Sequence, residues 1–199
     1  RLLDRVAGVL ERCDAQRALG MAFVGFGAKR RLFGDVEELA DRFRANADEL
    51  RAEVHFTRDW LPILRAMGWT RIATHRGELT DAIVKQLALP TLVTDDGYDT
   101  RDLEKCDVGI TECDALIAQT GSVLVTSRSA GGRALSVLPP HHVVLARRDQ
   151  LLPDLPAAYQ FLQEKYARDW PSFISLITGP SRTGDIERIL VLGAHGPKR

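Results

Sequence analysis

Four stretches in the second half of this 199-residue chain combine glycine, hydroxyl, arginine and carboxylate residues as an anion-binding site would. The first is Gln119-Thr120-Gly121-Ser122, a polar turn between two apolar runs. A turn there presents backbone N–H groups, and Thr120 and Ser122 add hydroxyls. The plain alternative is a tight hairpin with Gly121 at positive φ. The second is Ser127 to Leu135, in which Gly131 and Gly132 lead into Arg133 and a short helical pattern over 133–138. A glycine turn feeding a helix start aims amides and positive dipole at one spot, and arginine adds bidentate recognition of carboxylate or phosphate. It is neither GxxxxGK[ST] nor GxGxxG, and a plain loop reads equally well.

The third stretch, Thr178 to Glu187, carries Ser181, Arg182, Thr183, Asp185 and Glu187 after an apolar strand pattern. In an open α/β sheet a loop at the C-terminal end of a strand is where ligands bind. A turn with Ser181 or Thr183 capping a short helix is the alternative. The fourth, Gly193 to Lys198, sets His195 among glycines. An imidazole titrates near neutrality, so Asp185, Glu187 and His195 are the acid–base candidates. The ligand-binding candidates are Thr120, Gly121, Ser122, Gly131, Gly132, Arg133, Ser181, Arg182 and Thr183. His141 and His142 enter a strand after Pro139 and Pro140; successive strand residues face opposite ways, so at most one is expected to face a site. These histidines with Asp185, Glu187 and His195 lack a metal-binding spacing such as HExxH, and no metal is expected. Ser181 lies in GPSRTG rather than GxSxG, which argues against a serine hydrolase.

Composition narrows the class. Lys plus Arg and Asp plus Glu are both 27, so the formal net charge is zero, unlike a typical nucleic-acid protein. The Lys29-Arg30-Arg31 cluster reads as a solvated loop. No apolar run approaches the roughly 20 residues of a membrane span, and no signal-like segment stands near Arg1. Three cysteines, Cys13, Cys106 and Cys113, without a CxxC pair read as free thiols in a reducing, cytoplasmic setting. They do not supply the four thiolates of an iron–sulfur cluster.

The elements that position these stretches follow from periodicity. Residues 1–19 read as an amphipathic helix with Leu2, Leu3, Val6, Leu10 and Cys13 on one side, and 20–34 as an irregular glycine-rich loop. From residue 35 helices and short strands alternate: helix 35–50, strand 54–56, helix 60–67 with Asp59 as N-cap, strand 71–74, helix 80–87, strand 92–94. Such alternation implies crossovers and a mainly parallel sheet. Strands at 107–111, 115–118 and 122–125 are too closely spaced for crossovers and imply an antiparallel portion. A strand at 143–146, a helix at 156–167 and strands at 173–177 and 189–192 complete the pattern. The organisation expected is an N-terminal helix and loop over 1–34 and one α/β domain over 35–199.

In order, VGITECDALIAQTGSVLV, SAGGR, LPPHHVVLA and ITGPSRTGDIERILVLGAHGP resemble the LUD domain family, nearest its lactate-utilisation protein C type. The resemblance runs from about residue 107 to the end. It implies a fold like the NagB/RpiA/CoA-transferase group, with flanking helices and a partly antiparallel C-terminal portion. It further implies a part in bacterial L-lactate oxidation to pyruvate beside iron–sulfur partner proteins, with no cofactor held by this chain. In that role the chain is a non-redox subunit binding a small anionic ligand or a partner through its C-terminal loops. Family members often carry an acid where this chain has Gln119, and an amide cannot form an acyl-glutamyl intermediate. The alternatives are a free-standing enzyme of the cyclo-ligase, CoA-transferase or sugar-phosphate isomerase kind, and a non-catalytic assembly protein.

Overall fold

A strand buried on both faces needs an uninterrupted apolar run, and a helix that covers it needs an apolar stripe at three- and four-residue spacing. Both patterns shape the computed structural model, which describes residues 36–183, 191–192 and 196–197. Strands β1 (Ile72–Thr74), β2 (Thr91–Val93), β3 (Val108–Glu112) and β6 (His141–Leu145) form a wholly parallel sheet in the order β2-β1-β3-β6. Helix α1 (Val36–Glu49) buries Ala40, Phe43 and Ala47, and α3 (Glu78–Leu87) buries Leu79, Ile83 and Leu87. With α2 (Leu61–Ala66) and Trp69, α3 covers Ile72, Val108 and Ile110 on one face of the sheet. Leu103 of α4 (Thr100–Glu104), Cys106 and Leu135 cover Ala73 on the other.

The second sheet begins two residues after the first one's third strand. β4 (Ala115–Ile117) and β5 (Ser122–Thr126) are an antiparallel hairpin, flanked by β7 (Leu151–Leu152), parallel to β4, and by β8 (Ile174–Ile177), antiparallel to β5. The order is β7-β4-β5-β8. Helix α5 (Leu155–Tyr166) lays Ala158, Leu162 and Tyr166, one every fourth residue, on this sheet, and its N-cap Asp154 accepts the Ala157 N–H at 2.9 Å. A two-stranded ribbon of β9 (Arg182–Thr183) and β10 (Val191–Leu192) follows. The expected class, mixed α/β with a parallel sheet and a partly antiparallel C-terminal portion, is the class observed. Among the described residues no helix is long and apolar enough to cross a membrane.

Several local expectations change. Phe56 makes a single bridge rather than the expected strand over 54–56, because Val54 and Phe56 pack into the core cluster around Phe43 instead of pairing along a ladder. Trp60, not Asp59, is the N-cap of α2, without a side-chain bond. Pro62 already removes one of the donors a cap would serve. No helix forms over 133–138: Ala134 O accepts from Val137 and Leu138 N–H, and the turn goes no further. Gly131 (φ 61°) and Gly132 (φ 105°) break it on one side, and Pro139-Pro140 disfavours helical backbone on the other. The short elements α4, β7 and the 3-10 turns at Thr94–Asp96 and Arg148–Gln150 have too few residues for a periodic signal. The expected helix and loop over 1–34 lie outside the described residues.

Candidate functional site

A parallel sheet holds ligands outside its strand C-termini, where strand order reverses. Here that point lies between β1 and β3, and the protein's own groups fill it. His75, buried just after β1, accepts the Glu112 N–H on Nε2 at 3.0 Å and has Nδ1 3.0 Å from the Arg76 carbonyl. That pairing places the ring proton on Nδ1. The Glu112 carboxylate accepts from Leu79 N–H at 2.8 Å and Thr80 N–H at 3.4 Å, occupying the N-terminus of α3. Gly131 seals the crevice: a Cβ there would lie 2.3 Å from His75 Cβ.

A cavity of about 370 Å³ lies instead between β6 and the second sheet. Phe43 and Ala47 of α1, Leu64 and Met67, Trp69, Val123 of β5, and Phe173, Ser175 and Ile177 around β8 line it. Gly121, Gly179, Pro180, Ser181, Gly196 and Pro197 border it as well, with exposed Arg51 and Val137 at its rim. Its lining is largely apolar; besides Arg51, its polar groups include Ser136, Ser175, Ser181, His141, His142 and the His55–Glu53 pair, 3.7 Å apart.

Both histidines border this space, against the expectation that at most one would. β6 is the edge of its sheet among the described residues, so the cavity meets both of its faces. His141 Nδ1 accepts from Trp69 Nε1 at 2.9 Å, while His142 Nε2 lies 2.9 Å from Thr111 Oγ1 on the other face. Desolvation pushes the His142 imidazole down to about 4, so it is neutral at physiological pH. Ser136, 4% exposed, has no hydrogen-bond partner for its Oγ among the described residues.

The expected ligand residues divide. Gly121 and Ser181 reach the cavity, and Ser181 N–H donates to the Pro197 carbonyl at 3.1 Å, joining the GPS and HGP loops. The Thr120 and Ser122 hydroxyls are engaged: Ser122 Oγ donates to Thr120 Oγ1 at 2.7 Å and lies 2.8 Å from Thr178 Oγ1. Gln119 Oε1 accepts the Leu155 N–H at 3.3 Å, at the start of α5. Gly131, Gly132 and Arg133 stand away from the cavity lining, and Arg133 donates to the Ser172 carbonyl at 2.6 Å. The segment from Thr178 onward leaves β8, an antiparallel strand at the edge of its sheet among the described residues, so the parallel-sheet rule does not apply to it. Arg182 and Thr183 lie in β9; Asp185, Glu187 and His195 are outside the described residues.

Sequence reasoning passed over a second polar cluster. Asp114, at the crossing between the sheets, is 1% exposed and accepts from Lys165 Nζ and Tyr166 OH, each at 2.6 Å. Burial alone would raise its carboxyl, but hydrogen bonds from Lys165, Ser129 and Tyr166 hold it below the usual carboxylate range. A lone aspartate inside an apolar strand run was the available signal. Cys106 and Cys113 are buried free thiols, both shifted upward by desolvation. Among the described residues no three His, Cys, Asp or Glu gather as metal ligands.

An α/β chain with this pair of sheets and joined GPS and HGP loops has clear relatives. The LUD domain family matches residues 71–199, and the chain belongs to that family. It is 37% identical over 94 residues to lactate utilization protein C of Anoxybacillus flavithermus, covering 47% of this chain and 41% of that protein. Over 98 residues it is 38% identical to lactate utilization protein C of Halalkalibacterium halodurans, covering 48% and 43%. The chain thus matches less than half the length of these curated relatives. A crystal structure of a DUF162 family protein from Deinococcus radiodurans superposes with a TM-score of 0.53 over 84% of this chain and 96% of that one. At 17% identity that likeness concerns the fold alone.

Proposed function

We propose that this chain is a component of bacterial L-lactate utilisation, acting with iron–sulfur partner proteins in the oxidation of L-lactate to pyruvate. The observation that carries the reading is the 36–38% identity to several proteins named lactate utilization protein C. The chain contributes a binding site rather than the redox centre. Its C-terminal loops, around Gly121, Ser181 and Pro197, frame that site at the mouth of the 370 Å³ cavity, and the rim-exposed Arg51 attracts an anionic group there. The test is lactate-dependent pyruvate formation in extracts of cells with and without the chain. Loss of pyruvate formation, restored by adding the purified protein, is the expected result. Undiminished formation in the extract lacking it overturns the proposal.

A further inference from the structure

Lactate has six heavy atoms and a carboxylate, and the cavity suits neither. At roughly 30 Å³ per water-sized group, 370 Å³ holds about a dozen heavy atoms, the size of a fused two-ring molecule. Phe43, Trp69, Phe173, Val123 and Ile177 line it, so a carboxylate seated among them would lose its hydration without a paired charge. Arg51 is at the rim rather than within, and the Glu53 carboxylate borders the same space.

One polar group inside is nevertheless left over, and a second stands beside it. Ser136 Oγ is buried and has no partner among the described residues. Buried hydroxyls almost always find one. His142 has Nε2 2.9 Å from Thr111 Oγ1, and its ring also lines the cavity. The two residues share a face of the sheet. His142 pairs in register with Gly109, and the segment carrying Ser136 crosses Gly109 so closely that a Cβ there would lie 2.2 Å from the Leu135 carbonyl oxygen. An apolar cavity with a few convergent hydrogen-bonding groups is the usual form of a small-molecule site.

We infer that the cavity between β6 and the second sheet binds an uncharged two-ring molecule of the quinone class, its apolar rings among Phe43, Phe173 and Ile177 and an oxygen on Ser136 and His142. Lactate and pyruvate are not its occupants. The choice of a quinone over another flat ring rests on the lactate-oxidation reading, because a carrier of this class accepts the two electrons and two protons that a hydroxy acid releases. The cavity's size, apolar lining and unpaired hydroxyl stand without that reading.

The probe is dimethyl naphthoquinone, whose fully substituted quinone ring does not add to thiols, titrated into the purified chain by calorimetry. Naphthalene, L-lactate and pyruvate serve as comparison ligands. Saturable one-to-one quinone binding is expected, weakened roughly three- to tenfold by Ser136→Ala, the loss of one hydrogen bond. Ile177→Trp, which fills the space, abolishes it, and naphthalene binds more weakly. Circular dichroism verifies that each variant is folded, and Val123→Phe replaces Ile177→Trp if the latter is not. Overturning results are absence of saturable binding, equal binding by wild type and the folded filling variant, naphthalene binding as tightly as the quinone, or lactate occupying the cavity instead. Quinone binding in a protein dispensable for lactate oxidation overturns the functional proposal alone. A required protein with no quinone binding overturns this inference alone.

Discussion

Substituting Gly121 tests how the turn before β5 is seated. Its φ is 63°, and a Cβ would lie 2.6 Å from Ala47 N and 2.8 Å from Asn46 C, both backbone atoms of α1. The helix has little room to retreat: Ala47 is 1% exposed, and Asn46 Nδ2 donates to the Ala118 and Gln119 carbonyls at 2.7 and 2.9 Å. Two costs therefore add in Gly121→Ala. Left-handed backbone costs an L-residue about 1–2 kcal/mol, and overpacking against an immobile neighbour about 1–3 kcal/mol. Gly68→Ala isolates the first cost, because Gly68 has φ 70° but nothing within 4 Å of an added Cβ. In urea, with a slope of about 2 kcal/mol/M, Gly68→Ala lowers the unfolding midpoint by about 0.5–1 M and Gly121→Ala by about 1–2.5 M. Equal shifts for the two variants would refute the seating of α1 on the turn.

Three further substitutions probe the chemistry. His142 is held neutral, its pKa about 4 against 6.5 in the unfolded chain, so the unfolded state takes up the proton first as pH falls. Stability contributed by the neutral ring is complete above pH 6.5 and is lost toward pH 4, by at most about 3 kcal/mol; the wild type minus His142→Asn difference in urea melts reports it. Asp114→Ala strands Lys165 and Tyr166 OH and costs roughly 3 kcal/mol, the low end for a broken buried pair because Lys165 is 45% exposed; a change below about 1 kcal/mol would contradict the pairing. Ser181→Ala, where the two loops bordering the cavity join, lowers lactate-dependent activity while leaving the urea midpoint in place; a markedly lowered midpoint would give the Ser181 hydroxyl a structural role.

What the sequence made legible follows element length. Helices α1, α3 and α5 have enough turns for a repeating apolar stripe, and the crowding of strands between 107 and 126 announced the hairpin. The two-residue strand β7 and five-residue α4 have no room for a period. At the site, glycines marked real turns: Gly121, Gly131, Gly132 and Gly179 all have positive φ. They did not reveal purpose. Gly131 admits His75 and Thr94 at close range, and Arg133 donates to a backbone carbonyl. The cavity itself was hidden because its lining comes from α1, β5, β6 and β8, residues far apart in the chain with ordinary core identities such as Phe43 and Ile177. Ser136, flanked by apolar residues, carried no pattern that distinguishes an unpaired hydroxyl from a satisfied one.

The role in lactate utilisation is tested most directly by growth on L-lactate as sole carbon source, in a strain that has no other lactate-oxidising route. Deleting the gene should abolish that growth and leave growth on pyruvate intact, and a plasmid copy should restore it. Unimpaired growth of the deletion strain on L-lactate would contradict the role.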